Sequence, residues 1–129
     1  MKEYIAYKGK SFTIEWFYSD KGKSQSLKYY QGLSLSDRRK VLKLFQFMGE
    51  IGQIRNKTLF RNEGEKIYAF KPQPHRFLCF FFQGEKIIVT NGFYKKQQKL
   101  PKTEKEKAIR MMNNYYDRIK NETYYEKGK

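Results

Sequence analysis

The stretch that most limits the fold is His75-Arg-Phe-Leu-Cys-Phe-Phe-Phe82, apolar at every position after Arg76. A run that is apolar at both parities has no solvent face, so it predicts a central strand covered on both sides. It is far shorter than the roughly 20 apolar residues a membrane span needs, and no other run in the chain approaches that length. Gln83-Gly84-Glu85 predicts a turn into a second strand, Lys86-Ile-Ile-Val-Thr90. Upstream, Lys66-Ile-Tyr-Ala-Phe-Lys71 predicts a third, followed by Pro72-Gln-Pro74, a connector ill suited to a sheet interior. Three strands with short connections are most simply an antiparallel meander.

Other segments can be placed around that sheet. Tyr4–Tyr7 and Phe12–Phe17 flank Lys8-Gly9-Lys10 as a hairpin would, and Ser19–Ser26 reads as a polar loop. Ser34 is a good N-cap, with Asp37 in the first turn to complement the helix dipole. Val41, Leu44, Phe45 and Met48 then recur at helical spacing as a core-facing stripe, with Gly49 or Gly52 to end the helix. Asn91-Gly92 is expected to break the sheet pattern, and a basic linker follows from Phe93 to Lys102. After Pro101, Thr103 and Glu106 form a capping-box pattern, and Ala108, Met112, Tyr115 and Ile119 trace an apolar helix face. Asn121–Lys129 reads as a frayed tail. The expected fold is therefore one small α+β domain over residues 1–120, an antiparallel sheet with helices packed on one face, and a C-terminal tail at 121–129.

Charge narrows the partners. Lys and Arg number 28 against 13 Asp and Glu, a net charge of +15. Self-repulsion of that size points to a polyanionic partner. Aromatics at 18% are too many for a disordered basic arm and enough to fill a small core. One cysteine, Cys79, leaves no internal disulfide, and one histidine, His75, makes a metal centre or a Ser-His-Asp relay hard to assemble. The start, Met1-Lys2-Glu3-Tyr4, lacks the apolar stretch of a secretory signal. These features lead to the expectation of a soluble, cytoplasmic protein without structural metal or a membrane partner.

The second half of the chain resembles the RelE/ParE toxin superfamily, most closely its HigB and phage-derived HigB-like branch. The resemblance rests on ordered, spaced pieces: Ile67-Tyr-Ala-Phe-Lys71, His75-Arg76-Phe-Leu, Asn91-Gly92-Phe93-Tyr94-Lys95-Lys96, and Pro101, Glu104 and Ala108. It covers about half the chain directly, and the upstream hairpin and helix fit the family's order more loosely. Ala69 stands where the branch usually has Glu, Lys71 where it has Arg, and His75 where it has an aromatic residue. The helix start also lacks a tyrosine that some ribosome-dependent relatives use.

The resemblance implies a RelE-like fold and a metal-independent endoribonuclease, the toxin of a type II toxin–antitoxin pair that cuts mRNA on the ribosome. Its expected partners are mRNA, the ribosome and a cognate helix-turn-helix antitoxin. Such an enzyme needs no cofactor because RNA carries its own nucleophile, the 2′-hydroxyl; the protein must align atoms, neutralise the phosphorane and move two protons. Arg76, at the start of the long strand, suits a bidentate phosphate clamp. Lys71 ends the neighbouring strand and would lie near it. Of the Lys95–Lys96 pair only one is expected to point into the site, because extended side chains alternate, and Lys95 is the candidate taken as catalytic. Tyr94 is a candidate base or stacking ring. Arg61, Lys96, Lys99 and Lys102 are expected to hold RNA backbone. Two other readings stay open: a ParE-like gyrase inhibitor, and a noncatalytic nucleic-acid-binding domain of phage or mobile-element origin.

Overall fold

Strand parity sorts the core into two halves. The computed structural model describes residues 4–96 and 99–125. Met1–Glu3, Gln97 and Gln98 of the basic linker, and the end of the tail at 126–129 lie outside the described residues. Along the chain run β1 (Ile5–Lys8), β2 (Thr13–Trp16), α1 (Gln25–Gln31), α2 (Leu35–Ile51), β3 (Phe60–Gly64), β4 (Ile67–Phe70), β5 (His75–Phe82), β6 (Lys86–Tyr94) and α3 (Lys102–Lys120). The strands form one sheet in the order β1-β2-β6-β5-β4-β3. Only β2 and β6 run parallel; the remaining neighbours are antiparallel.

In β5, Phe77 and Cys79 join Ile87 and Val89 of β6 in a cluster with Val41, Phe45 and Met48 of α2. The alternate residues, Leu78 and Phe80 with Ile88, pack with Ala108, Met112 and Tyr115 of α3. So β5 is covered on both sides, as its apolar run predicts. The α+β class and the antiparallel meander are found as expected. Helices α1 and α2 share one face of the sheet; α3 takes the side chains of the other parity, because a strand apolar at both parities needs cover on each side. No helix among the described residues is long and apolar enough to cross a membrane.

Ser34 caps α2 as its sequence suggests, accepting from the Asp37 N–H at 3.1 Å, and Gly52 ends the helix with φ 89°. Several local expectations need correction. Helix α1 begins inside the segment read as a polar loop, capped by Ser24, whose hydroxyl accepts from the Leu27 N–H. Arg61, in a segment for which the pattern gives no element, lies on a strand, β3. The pattern does not break at Asn91-Gly92: β6 continues to Tyr94, because a bulge resets its register. Gly92 is there for space. A Cβ on it would sit 2.8 Å from the Phe77 ring and 3.0 Å from Tyr29, and both its N–H and C=O are bonded by the Gln25 amide.

The Thr103–Glu106 capping box does not form either. Helix α3 already includes Lys102, and Pro101 is its N-cap without a side-chain bond. Nor does the chain fray at Asn121. Tyr124 is buried among Phe17, Tyr4 and Tyr115, and the Tyr125 hydroxyl donates to Glu15 Oε1 at 2.7 Å.

Candidate functional site

Pairing across the sheet decides which polar side chains meet. Arg61 of β3 pairs with Ala69 of β4, Ala69 with Leu78 of β5, and Leu78 with Asn91 of β6. Ala69 and Leu78 belong to the α3 side of the core, so the whole row faces that side. Two residues from this row, toward the start of β5, the same parity presents Arg76 with its partner Phe93 on β6 and Lys71 past the end of β4, opposite Leu59, while Glu63 lies on the other side of Arg61 along β3, at a register shift. These residues lie beyond the N-terminus of α3, where no helix covers them, and the uncovered corner is a cleft of about 390 Å³. Arg61, Glu63, Lys71, Arg76, Phe93 and Lys95 line it from the sheet, and Lys96, Lys99, Leu100, Pro101, Lys102 and Lys105 from the linker and α3.

Backbone bonds extend the ladder under this corner. The Lys71 N–H donates to Leu59 O at 2.8 Å, and the Lys95 N–H to Pro74 O at 2.8 Å. The wall made by α3 is fastened by a buried amide: Asn91 Nδ2 donates to the Glu104 carbonyl at 3.2 Å and to Glu104 Oε1 at 2.9 Å. Thr90 Oγ1 donates to Asn91 Oδ1 at 2.7 Å and so fixes which way that amide points. Lys105 also bridges to Glu65 at 3.0 Å.

Burial grades from floor to rim. Arg76 is 6% exposed and Lys71 8%; Glu63 and Lys95 are half-buried, and Arg61, Lys96, Lys99 and Lys102 are exposed. Burying a guanidinium or ammonium is costly unless something anionic compensates it. Burial accordingly lowers the Lys71 amine below the ordinary lysine range, and Arg76, Arg61 and Lys95 push it down further, while Glu63 opposes them. Burial also lowers Arg76, again against the pull of Glu63. Lys71 Nζ is anchored on Lys57 O at 2.8 Å. Among the described residues, Arg76 Nη1 reaches only its neighbour's carbonyl, His75 O, at 3.4 Å. The floor is thus a cationic surface whose one lining carboxylate among the described residues is Glu63, preorganised for an anion.

Of the residues singled out from sequence, Lys71, Arg76, Lys95, Arg61, Lys96, Lys99 and Lys102 meet in this cleft. Lys95 is the inner and Lys96 the outer of the pair, yet both line it. Tyr94 stands apart. It pairs with His75 across the strands, its ring 6.0 Å from the imidazole, at the parity opposite to Arg76. There His75 Nε2 donates to Asp37 Oδ2 at 2.9 Å and Nδ1 shares a 2.7 Å bond with the Tyr29 hydroxyl. The bond from His75 holds the Asp37 carboxyl below its usual range. This network ties α1 and α2 to the sheet on the side away from the cleft.

Sequence reasoning missed Glu63, gave Phe93 no role and did not reach Lys105. The spacing of Arg61 and Glu63 at i and i+2 would have shown them on one face, had β3 been recognised as a strand. Cys79 is fully buried and its thiol is pushed up by burial. Among the described residues no three His, Cys, Asp or Glu side chains gather where they could hold a metal ion.

A family profile, Phage derived protein Gp49-like (DUF891), matches residues 28–113. The match takes in every residue of the cleft. No curated protein matches the chain.

Proposed function

From the premise that the chain belongs to the phage-derived Gp49-like family, within the RelE/HigB-like toxin–antitoxin superfamily, we propose that it is the toxin of a HigB-like pair and an endoribonuclease. Its substrate is mRNA, engaged on the ribosome, and its partner is a helix-turn-helix antitoxin. One observation carries this reading: a cleft of about 390 Å³ whose buried floor is Arg76 and Lys71, with Glu63 as the one carboxylate in its lining among the described residues.

The chemistry follows from that inventory. Arg76 forks onto the non-bridging oxygens of the scissile phosphate and holds the phosphorus for attack. Glu63 takes the proton of the 2′-hydroxyl as its oxygen bonds to phosphorus. The bond from phosphorus to the 5′-oxygen breaks, and Lys71 gives that oxygen a proton. An ammonium made more acidic by burial is a better donor than a free lysine. Lys95 neutralises the dianionic phosphorane, and the products are a 2′,3′-cyclic phosphate and a 5′-hydroxyl. Arg61, Lys96, Lys99 and Lys102 hold flanking phosphates, and Phe93 offers a ring face for a base. Ala69 leaves β4 without the carboxylate its relatives usually carry there. Glu63, two residues beyond the Arg61 that pairs with Ala69, supplies a carboxylate to the cleft from β3.

The test is induction in growing cells with RNA ends mapped across translated messages. The wild-type protein is expected to produce new breaks, and Arg76→Ala and Glu63→Gln to abolish them while retaining most nonspecific RNA affinity. Intact messages accompanied by a DNA-damage response would reject the nuclease in favour of a gyrase poison.

A further inference from the structure

Helix α2 carries two apolar stripes. Val41, Phe45 and Met48 are buried against the sheet. Leu44, Phe47 and Ile51 recur at i, i+3 and i+7, which puts them on one neighbouring face, yet Phe47 is 52% and Ile51 60% exposed. A surface helix of a single domain needs one such stripe, and a second one left in water is characteristic of an interaction surface.

Leu44 and Phe47, with Ile54 and Leu59 from the segment joining α2 to β3, floor a groove of about 650 Å³. Lys40, Lys43 and Arg55 stand around it, Lys40 also 3.6 Å from Asp37 Oδ1, and among the described residues no carboxylate is in its lining. We propose that this groove is the docking site for an amphipathic, acidic segment of the antitoxin, with apolar side chains on Leu44, Phe47 and Leu59 and carboxylates on Lys40, Lys43 and Arg55. This rests on the toxin reading above and adds where the partner binds.

Two other occupants fit the groove less well. A second copy of the chain, joined through a two-fold axis, would set the same cationic rim against itself, on molecules that each carry +15. RNA would satisfy the rim but leave the apolar floor uncovered. An acidic amphipathic segment satisfies both. Its position has a consequence, because Lys71 lines the groove as well as the cleft. A partner seated here presses on the back wall of the cleft and leaves the RNA-facing mouth open.

The experiment is calorimetric titration of the purified full chain with the antitoxin protein encoded beside its gene. Melting curves establish that each variant is folded. Phe47→Glu is expected to weaken binding by about 30-fold or more, as loss of a central anchor does, and to leave RNA cleavage unchanged. Arg55→Glu should weaken it by roughly tenfold, and Arg76→Ala should bind as the wild type does. The proposal is overturned if Phe47→Glu binds normally, if Arg76→Ala loses as much affinity as Phe47→Glu, or if sedimentation shows a wild-type dimer that Phe47→Glu dissociates. None of these readings requires cleavage. A protein that binds its antitoxin through the groove but leaves RNA intact would therefore refute the nuclease and keep the docking site.

Discussion

Arg76 and Lys71 are held as buried cations with no carboxylate among the described residues bonded to either, and an anionic ligand relieves that cost. Replacing Arg76 with Ala is expected to lower cleavage by about 10²- to 10³-fold, the range for losing one donor to a developing charge. Arg76→Lys should restore little, because a point charge cannot make the bidentate contact. Glu63→Gln keeps the shape but not the proton acceptor, and a loss of about 10²- to 10⁴-fold is expected. Lys71 predicts a pH dependence. Its amine lies below the ordinary lysine range, and the ammonium form is the one that holds phosphate. Affinity for an uncleavable 2′-O-methyl oligonucleotide should therefore be complete below that lowered value and fall as pH rises through it, earlier than an ordinary lysine would allow. Lys71→Arg should remove the fall in a titration followed by fluorescence anisotropy. The meeting of Lys71 and Arg76 was legible, since they flank a short connector in a meander. Glu63 was not, because Arg61-Asn-Glu-Gly has no apolar alternation to announce an edge strand.

At the level of elements, the bulge in β6 explains why Tyr94 and Lys95 could not be assigned from alternation. Cys79 pairs with Val89 but Leu78 with Asn91, so Thr90 is the extra residue. Counting by twos from Ile88, which faces α3, would put Gly92 and Tyr94 on that side. The bulge shifts the count, so that Asn91, Phe93 and Lys95 face α3 and Tyr94 turns to His75. A register change made by one residue leaves no mark in hydrophobic patterning. Its consequences can be tested. Gly92→Ala forces a methyl group against the Phe77 and Tyr29 rings, and should cost about 1–3 kcal/mol in denaturant unfolding. Asn91→Ala removes both bonds to Glu104 and should cost a similar amount, about 1–3 kcal/mol. It should also weaken RNA binding, because the α3 wall carrying Lys102 and Lys105 loses its anchor.

For the molecule as a whole, the apolar run in β5 made the class legible: a strand needing cover on both sides, in a chain of this length, leaves few architectures. The parallel seating of β2 beside β6 was not legible, since it joins segments far apart in the chain and depends on how α1 and α2 cross over. Eight lysines and arginines among the described residues line the cleft, which makes salt an informative variable. Affinity for single-stranded RNA should fall with a log–log slope of about −0.7 per phosphate held, and Lys102→Ala should make that slope shallower by about 0.7. The most direct test of the cleft as a ribonuclease is the end chemistry of messages cut in a translating extract. Upstream fragments ending in 2′,3′-cyclic phosphate and downstream fragments starting with 5′-hydroxyl, both absent with Glu63→Gln, are the predicted result. Fragments bearing 5′-phosphates, or messages left whole by the wild-type protein, would contradict it.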